Sequence, residues 1–285
     1  MKRIGIMHYC KKEGCAEVID TLLDSFGAKG VEVLLEVNAA QLVDRMDLAR
    51  PFEEIKAEAE VLLVLGGDGA FLHAAHLVCD SPLPIMGINL GHLGFLTEAE
   101  VNDLPEAVEQ LAKDDYVVEE RMMLEAQVLR AGQVTGTFVA FNDVVVTRST
   151  FARVIQVEVK VDGQVTGRFS CDGMIVASPT GSTAYSLSAG GPVVSPRVEA
   201  LVITPICPHT IASRSVVVHP QETIELRVHS LHDQVRLSVD GQPATKIQAE
   251  DRILVGKSER VARLVRLGKR GFYELLRNRL SHPDV

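Results

Sequence analysis

The chain has 285 residues, 46% of them hydrophobic and 5% aromatic, with no tryptophan, so aliphatic side chains must fill its cores and the length allows two domains. A formal net charge of -9 disfavours a nucleic-acid backbone as the main partner. Its apolar runs fall far short of a membrane span and its start lacks the long hydrophobic region of a signal peptide, so a cytoplasmic protein with no membrane partner is expected.

In chain order, strands are predicted over residues 3–8, 31–37, 61–65 and 83–89. Helices are predicted near 16–26, around 40–49, from 71 onward and over 104–113, where Pro105 suits a first turn. This alternation argues for a Rossmann-like parallel sheet with helices on its faces. Beyond residue 116 the pattern changes to β-rich runs at 138–147, 154–161, 215–219, 223–228 and 235–239, with Asp162-Gly163 and Asp240-Gly241 as turns, and a last helix follows at 273–280. The fold class is therefore α/β plus mostly-β, with an α/β domain over 1–116 and a β-rich domain over 117–265. No internal repeat or low-complexity linker is evident. Five cysteines, Cys10, Cys15, Cys79, Cys171 and Cys207, with no CxxC pair, indicate reduced thiols.

The apolar run Val61-Leu62-Leu63-Val64-Leu65 breaks into Gly66-Gly67-Asp68-Gly69 and then into a helical pattern containing His73 and His76. Such a run fits a strand buried on both faces of a parallel sheet, and the turn after it is where open α/β sheets bind ligands. Backbone amides at the helix start attract phosphate. An aspartate repels that anion, which suggests a proton acceptor beside a phosphate. Taken alone, Asp68 equally suits an Asp-Gly turn or a helix N-cap. With His73 and His76 it also imitates a metal-ligand spacing, for which no further ligands can be placed.

Three further features stand out. Asn142 and Asp143 interrupt an apolar run, either as a turn or as ligand contacts, and Asp172-Gly173 reads as a turn or a ligand aspartate. Residues 178–192 crowd six Ser/Thr hydroxyls and three glycines into fifteen positions, a composition suited to holding sugars and phosphates, or to a turn before a capped helix.

Gly66-Gly67-Asp68-Gly69, then Gly91-His92-Leu93-Gly94-Phe95-Leu96, Phe141-Asn142-Asp143, Asp172-Gly173 and Thr180-Gly181-Ser182-Thr183-Ala184-Tyr185-Ser186 resemble the NAD kinase family in order and spacing, over about residues 60–245. The four-residue glycine motif is weak evidence, because diacylglycerol kinases and phosphofructokinases carry a similar one; the Thr180 run is far more specific. The resemblance implies phosphorylation of the 2′-hydroxyl on the adenosine ribose of NAD, with ATP or polyphosphate as donor, Mg²⁺ as the divalent metal and a site between the two domains. It makes Asp68 the general base, gives Gly67 and Gly69 room for phosphates, and adds a phosphate contact from His73. Phe95 would line the adenine site, Asn142 and Asp143 would hold NAD, and Asp172 would lie towards the nicotinamide. Thr183, Ala184, Tyr185, Ser186, Leu187 and Ser188 would contact the nucleotide, with Tyr185 stacking on a ring.

Arg153, Cys207 and Gln242 match ligand positions in relatives. Arg153 and Gln242 equally suit solvent-facing strand residues, Cys207 a buried structural cysteine and Phe95 a core residue. The family more commonly carries glutamate where this chain has Asp143. Some members that prefer NAD over NADH carry a basic residue where this chain has Ser170. Relatives form homodimers and homotetramers, and their C-terminal segment, here 266–285, returns to the first domain. Two other readings compete. A lipid or sugar kinase leaves residues 180–192 without a purpose, and a non-catalytic nucleotide sensor gains nothing from an anion at Asp68.

Overall fold

The computed structural model describes all residues except 10–13, 92–93, 149–153, 210–212, 230–234, 270 and 282–285. The chain divides into two compact units, Met1–Glu120 with Ala262–Val285, and Arg121–Val261. The boundaries expected from sequence lay at 116/117 and 265/266.

The first unit contains β1 (Arg3–His8), α1 (Cys15–Gly27), β2 (Glu32–Glu36), α2 (Val37–Leu42), β3 (Ala49–Arg50), α3 (Phe52–Glu58), β4 (Val61–Leu65), α4 (Asp68–Val78), β5 (Ile85–Asn89), β6 (Thr97–Glu100) and α5 (Leu104–Ala112). Its strands pair in parallel in the order β3-β2-β1-β4-β5-β6. The order reverses between β1 and β4, and the crevice at the carboxyl ends of two such strands is the ligand site of doubly wound sheets. Every residue of β4 and β5 is buried, as covering on both faces requires. Helix α1 buries Cys15, Val18, Ile19, Leu22 and Phe26, one stripe at helical spacing.

The single helix expected around 40–49 does not form. Asp44 takes a left-handed conformation (φ 55°) just after α2, and the chain then makes a short 3-10 turn at Met46–Leu48 and pairs β3 with β2. Pro51 follows directly, and a residue before proline is pushed towards extended backbone. The reduced-thiol expectation is also corrected in part: Cys15 is disulfide-bonded, while Cys79, Cys171 and Cys207 are free.

The second unit is built from β7 (Val117–Arg130), β8 (Gln133–Ala140), β9 (Asp143–Arg148), β10 (Ile155–Val161), β11 (Gln164–Cys171), β12 (Gly173–Ala177), the one-turn helix α6 (Tyr185–Ser188), β13 (Leu201–Ile206), β14 (Val216–Val218), β15 (Ile224–Val228), β16 (Val235–Val239), β17 (Gln242–Ile247) and β18 (Arg252–Arg266). One run of strands is β11-β10-β15-β18-β7-β8 and the other is β14-β13-β12-β9-β16-β17. Inward-facing aliphatics such as Leu124, Val157, Met174, Leu226 and Leu237 form its core.

Contrary to the sequence reading, this unit contains an internal repeat. Gln133-Val134-Thr135-Gly136-Thr137-Phe138 returns as Gln164-Val165-Thr166-Gly167-Arg168-Phe169. Both copies open after a turn with two positive φ angles, Ala131-Gly132 (49° and 80°) and Asp162-Gly163 (46° and 78°). In each, the threonine hydroxyl donates across the hairpin, Thr135 to the Val128 carbonyl (3.2 Å) and Thr166 to the Val159 carbonyl (3.1 Å). Each register slips at the matching point, after Val128 and after Val159.

The likeness extends to the ends of the copies. Glu222 accepts from the His219 amide (2.7 Å) before β15, as Asp251 accepts from the Gln248 amide (2.8 Å) before β18. Both strand runs are palindromes when β7-β8-β9-β16-β17-β18 is exchanged for β10-β11-β12-β13-β14-β15. One copy is thus inserted between β9 and β16 of the other, about a local two-fold running between β9 and β12. After β18 comes α7 (Phe272–Ser281), within the first unit. There, buried Glu98 accepts from the Leu267 amide and the Arg266 guanidinium, both at 2.8 Å, and so anchors this segment.

Candidate active site

In the first unit the candidate residues gather where the strand order reverses. The Tyr9 amide, just past β1, donates to the Leu65 carbonyl at the end of β4 (3.1 Å). Helix α4 starts at Asp68, three residues earlier than predicted, with the Gly67 carbonyl accepting from the Ala70 and Phe71 amides.

Asp68 does not cap this helix. Its Oδ2 accepts from the Phe95 amide (3.0 Å) and its Oδ1 from the Leu96 amide (3.1 Å), which orients the carboxylate while each oxygen keeps a lone pair. Gly94 makes this possible, because a Cβ there would lie 2.0 Å from Oδ1. Phe95 is half-buried, its ring tilted against Phe272 at 6.4 Å.

Gly67 and Gly69 are exposed, and a Cβ at either would meet nothing within 4 Å. His73 is exposed with its ring edge-on to Tyr9 at 4.4 Å. Burial, and secondarily His76, lowers its pKa from the ordinary value.

In the second unit Asn142 forms the turn between β8 and β9, and Asp143 opens β9. Asp240, from the turn between β16 and β17, accepts from three consecutive amides: Phe141 (2.7 Å), Asn142 (2.7 Å) and Asp143 (2.9 Å). Burial, with Asp240 adding to it, pushes the Asp143 carboxyl up to about 7. The Tyr185 phenol is raised first by burial, then by Cys207, Asp143 and Asp172, so these four predicted residues lie within electrostatic reach of one another.

The hydroxyl-rich segment works differently from expectation. Ser178, Thr180, Ser182 and Ser186 are buried and serve the fold. Ser178 Oγ donates to the Phe141 carbonyl (2.6 Å) and accepts from the Gly181 amide (3.1 Å), while the Ser178 amide reaches the Asn142 carbonyl (2.8 Å). Gly181 must be glycine, since a Cβ would stand 2.0 Å from the Asn142 oxygen. Ser186 is paired with Thr204 at 2.9 Å. Tyr185 and Ser188 are exposed, while Thr183, Ala184 and Leu187 are half-buried.

Asp172 is held by Arg148 at 2.9 Å. Cys207 is exposed in a left-handed conformation (φ 45°), which overturns its reading as a buried structural cysteine. Gln242 is exposed at the start of β17, and Arg153 lies outside the described residues.

Comparison with known proteins adds a second line. The ATP-NAD kinase N-terminal domain family matches residues 17–116 and the ATP-NAD kinase C-terminal domain family residues 141–267. The NAD kinase of Heliobacterium modesticaldum is 47% identical over 285 residues, covering 99% of each chain. That of Desulforamulus reducens is 40% identical over 281 residues, covering 99% of this chain and 98% of its own. The chain belongs to the NAD kinase family. It is accordingly a kinase, a phosphotransferase.

Among solved structures, an NAD kinase from Archaeoglobus fulgidus in complex with ATP is 28% identical with a TM-score of 0.76, covering 96% of this chain and 97% of that one. Yeast NADH kinase complexed with NADH shares the fold, with a TM-score of 0.87 at 24% identity, covering 98% and 86%. Within this NAD kinase, sequence reasoning passed over two residues that hold candidate groups in place. Gly94 lies in a motif that carries the family resemblance, yet nothing in its spacing says that it faces Asp68. Asp240 reads as an ordinary Asp-Gly turn, with no local sign that its carboxylate caps a turn almost a hundred residues earlier.

Proposed function

We propose that Asp68 is the general base of this NAD kinase, acting on the 2′-hydroxyl of the adenosine ribose of NAD with ATP as phosphoryl donor. In that step the hydroxyl proton passes to Asp68, the ribose oxygen bonds to the γ-phosphorus, and the bond to the bridging oxygen breaks to release ADP. The observation that carries the reading is the Asp68 carboxylate: it sits at a glycine-flanked helix start, is oriented by the Phe95 and Leu96 amides, and does no capping there. Gly67 and Gly69 leave backbone room for phosphates, and His73 donates to one of them. Asn142, Asp143, Asp172 and Tyr185 bind the dinucleotide, with Phe95, Thr183, Ala184, Leu187, Ser188, Cys207, Gln242 and Arg153 as further contacts and Ser186 contributing through its backbone, since its hydroxyl is taken by Thr204.

The proposed metal is Mg²⁺, which supplies charge neutralisation when bound to the donor phosphates. The described residues include no group of three or more His, Cys, Asp or Glu placed to hold a metal ion, and no step here is routed through it. Polyphosphate is a second candidate donor. We further propose a cytoplasmic homodimer or homotetramer without nucleic-acid or membrane partners; no described helix is long and apolar enough to cross a membrane. Sedimentation tests the assembly, and a fully active monomer would reject it.

Replacing Asp68 with Asn tests the central assignment. A kcat loss on the order of 10² or more, with NAD affinity held by calorimetry, is expected for a general base. Unchanged turnover would remove Asp68 from the chemistry. Running the wild-type assay with ATP and with polyphosphate separates the two donors.

A further inference from the structure

By sequence Asp240 is a turn residue, and neither a structural turn nor the proposed chemistry requires its carboxylate. Yet it is among the most heavily engaged acids of the second unit. Its Oδ2 accepts from the Phe141 amide and its Oδ1 from both the Asn142 and Asp143 amides, at 2.7–2.9 Å. Its own amide donates to the Asp143 carbonyl at 3.0 Å, which closes the contact from both sides. Asp240 and Gly241 have φ 47° and 76°, the same two-residue hairpin turn as Asp162-Gly163, and this turn carries the Asp240 carboxylate.

Asp143 stands beside this acid with little to balance it. On β12 its cross-strand neighbour is Ala177, which carries no charge. From the turn between β16 and β17 comes Asp240, and from α6 comes the Tyr185 phenol. Asp143 is 4% exposed, so its own burial disfavours the charged form, and the neighbouring Asp240 adds to that. The Asp240 oxygens are engaged by three N–H donors, whereas burial favours the protonated form of Asp143.

We propose that Asp240 is a positioning residue for NAD, setting the Asn142-Asp143 turn and making Asp143 meet the dinucleotide as a hydrogen-bond donor. The inference rests on the reading that Asp143 binds NAD. It assigns Asp143 a polarity opposite to that of an ordinary ribose-binding carboxylate, which accepts hydroxyl protons. The donor survives up to about pH 7, where the Asp143 carboxyl loses its proton. Above that, a charge appears in a buried place and NAD affinity falls.

Two measurements test it. The first is the carboxyl titration of Asp143 by carbon-13 NMR, in the protein without nucleotide. A midpoint near 7 that moves down by a unit or more in Asp240→Asn is expected, with melting curves confirming that the variant folds. A midpoint in the ordinary aspartate range, or one indifferent to Asp240→Asn, would overturn the proposal while leaving Asp143 free to bind NAD. The second is the NAD dissociation constant from pH 5.5 to 9 for wild type, Asp143→Asn and Asp143→Ala. The proposal expects affinity to weaken about tenfold per pH unit above the midpoint in wild type, and this dependence to vanish in Asp143→Asn, which leaves the Asp240 cap untouched. Persistence of the wild-type inflection in Asp143→Asn would overturn it. Unchanged NAD affinity in Asp143→Ala would instead dismiss the binding role of Asp143, and the proposal with it.

Discussion

Gly67 and Gly69 flank the proposed base, and nothing in the described protein forbids a side chain at either position. If they must be glycine, the reason is the ligand. Gly69→Ala, inside α4, is expected to raise stability by about 0.5–1 kcal/mol while lowering kcat/KM; a gain in melting temperature with full activity would remove the phosphate-approach role. Gly94→Ala should do the opposite, since its Cβ would collide with the Asp68 carboxylate and disturb fold and catalysis together. Asp143 carries a stability signature as well. Its carboxyl titrates at about 7 in the fold against an ordinary value of 3.8, so the folded state favours the protonated form. That contribution is complete below about pH 4 and is lost as pH rises through 7, a swing of about 4 kcal/mol. Asp143→Asn should therefore flatten denaturant stability between pH 5 and 8, where wild type declines.

At the scale of elements, residues 178–192 divide into an inner and an outer set. Ser186→Ala is expected to cost about 1–3 kcal/mol of stability, because it leaves Thr204 without its buried partner. Tyr185→Ala should instead raise the KM for NAD with little change in melting, as an exposed ring warrants. Sequence composition marked this segment but did not separate the sets, because a hydroxyl facing a carbonyl and one facing solvent are the same letter. Strong periodicity did locate β1, β4, α1 and α5 almost to the residue. The stretch 40–49 failed because its apolar spacing persists across Asp44, whose left-handed backbone has no periodic signature. The glycine turn was legible as a phosphate-type loop from Gly66 to Gly69, whereas its clamp at Gly94 and the cap at Asp240 join positions far apart in sequence. Only coordinates bring those together.

Seen whole, the second unit is two six-strand copies, one threaded into the other, and the repeat escaped notice because only one short stretch of it is still spelled alike. The inner copy, β10 to β15, is contiguous; the outer copy, β7 to β9 with β16 to β18, is completed only after the inner one has been made. Non-local pairing of that kind is slow, so pulse-labelled hydrogen exchange is expected to find the amides that join β10 to β15 protected before those that join β7 to β18. Simultaneous protection would indicate that the copies fold as one. The pairings across the local two-fold are β9 with β12 and β15 with β18, and the latter matches Ile224 to Val255 and Leu226 to Ile253. Those are the contacts that two separate, identical chains would make about a true dyad. The domain thus holds within a single chain, and at no cost in association, an interface of the kind that two separate subunits would have to meet to form.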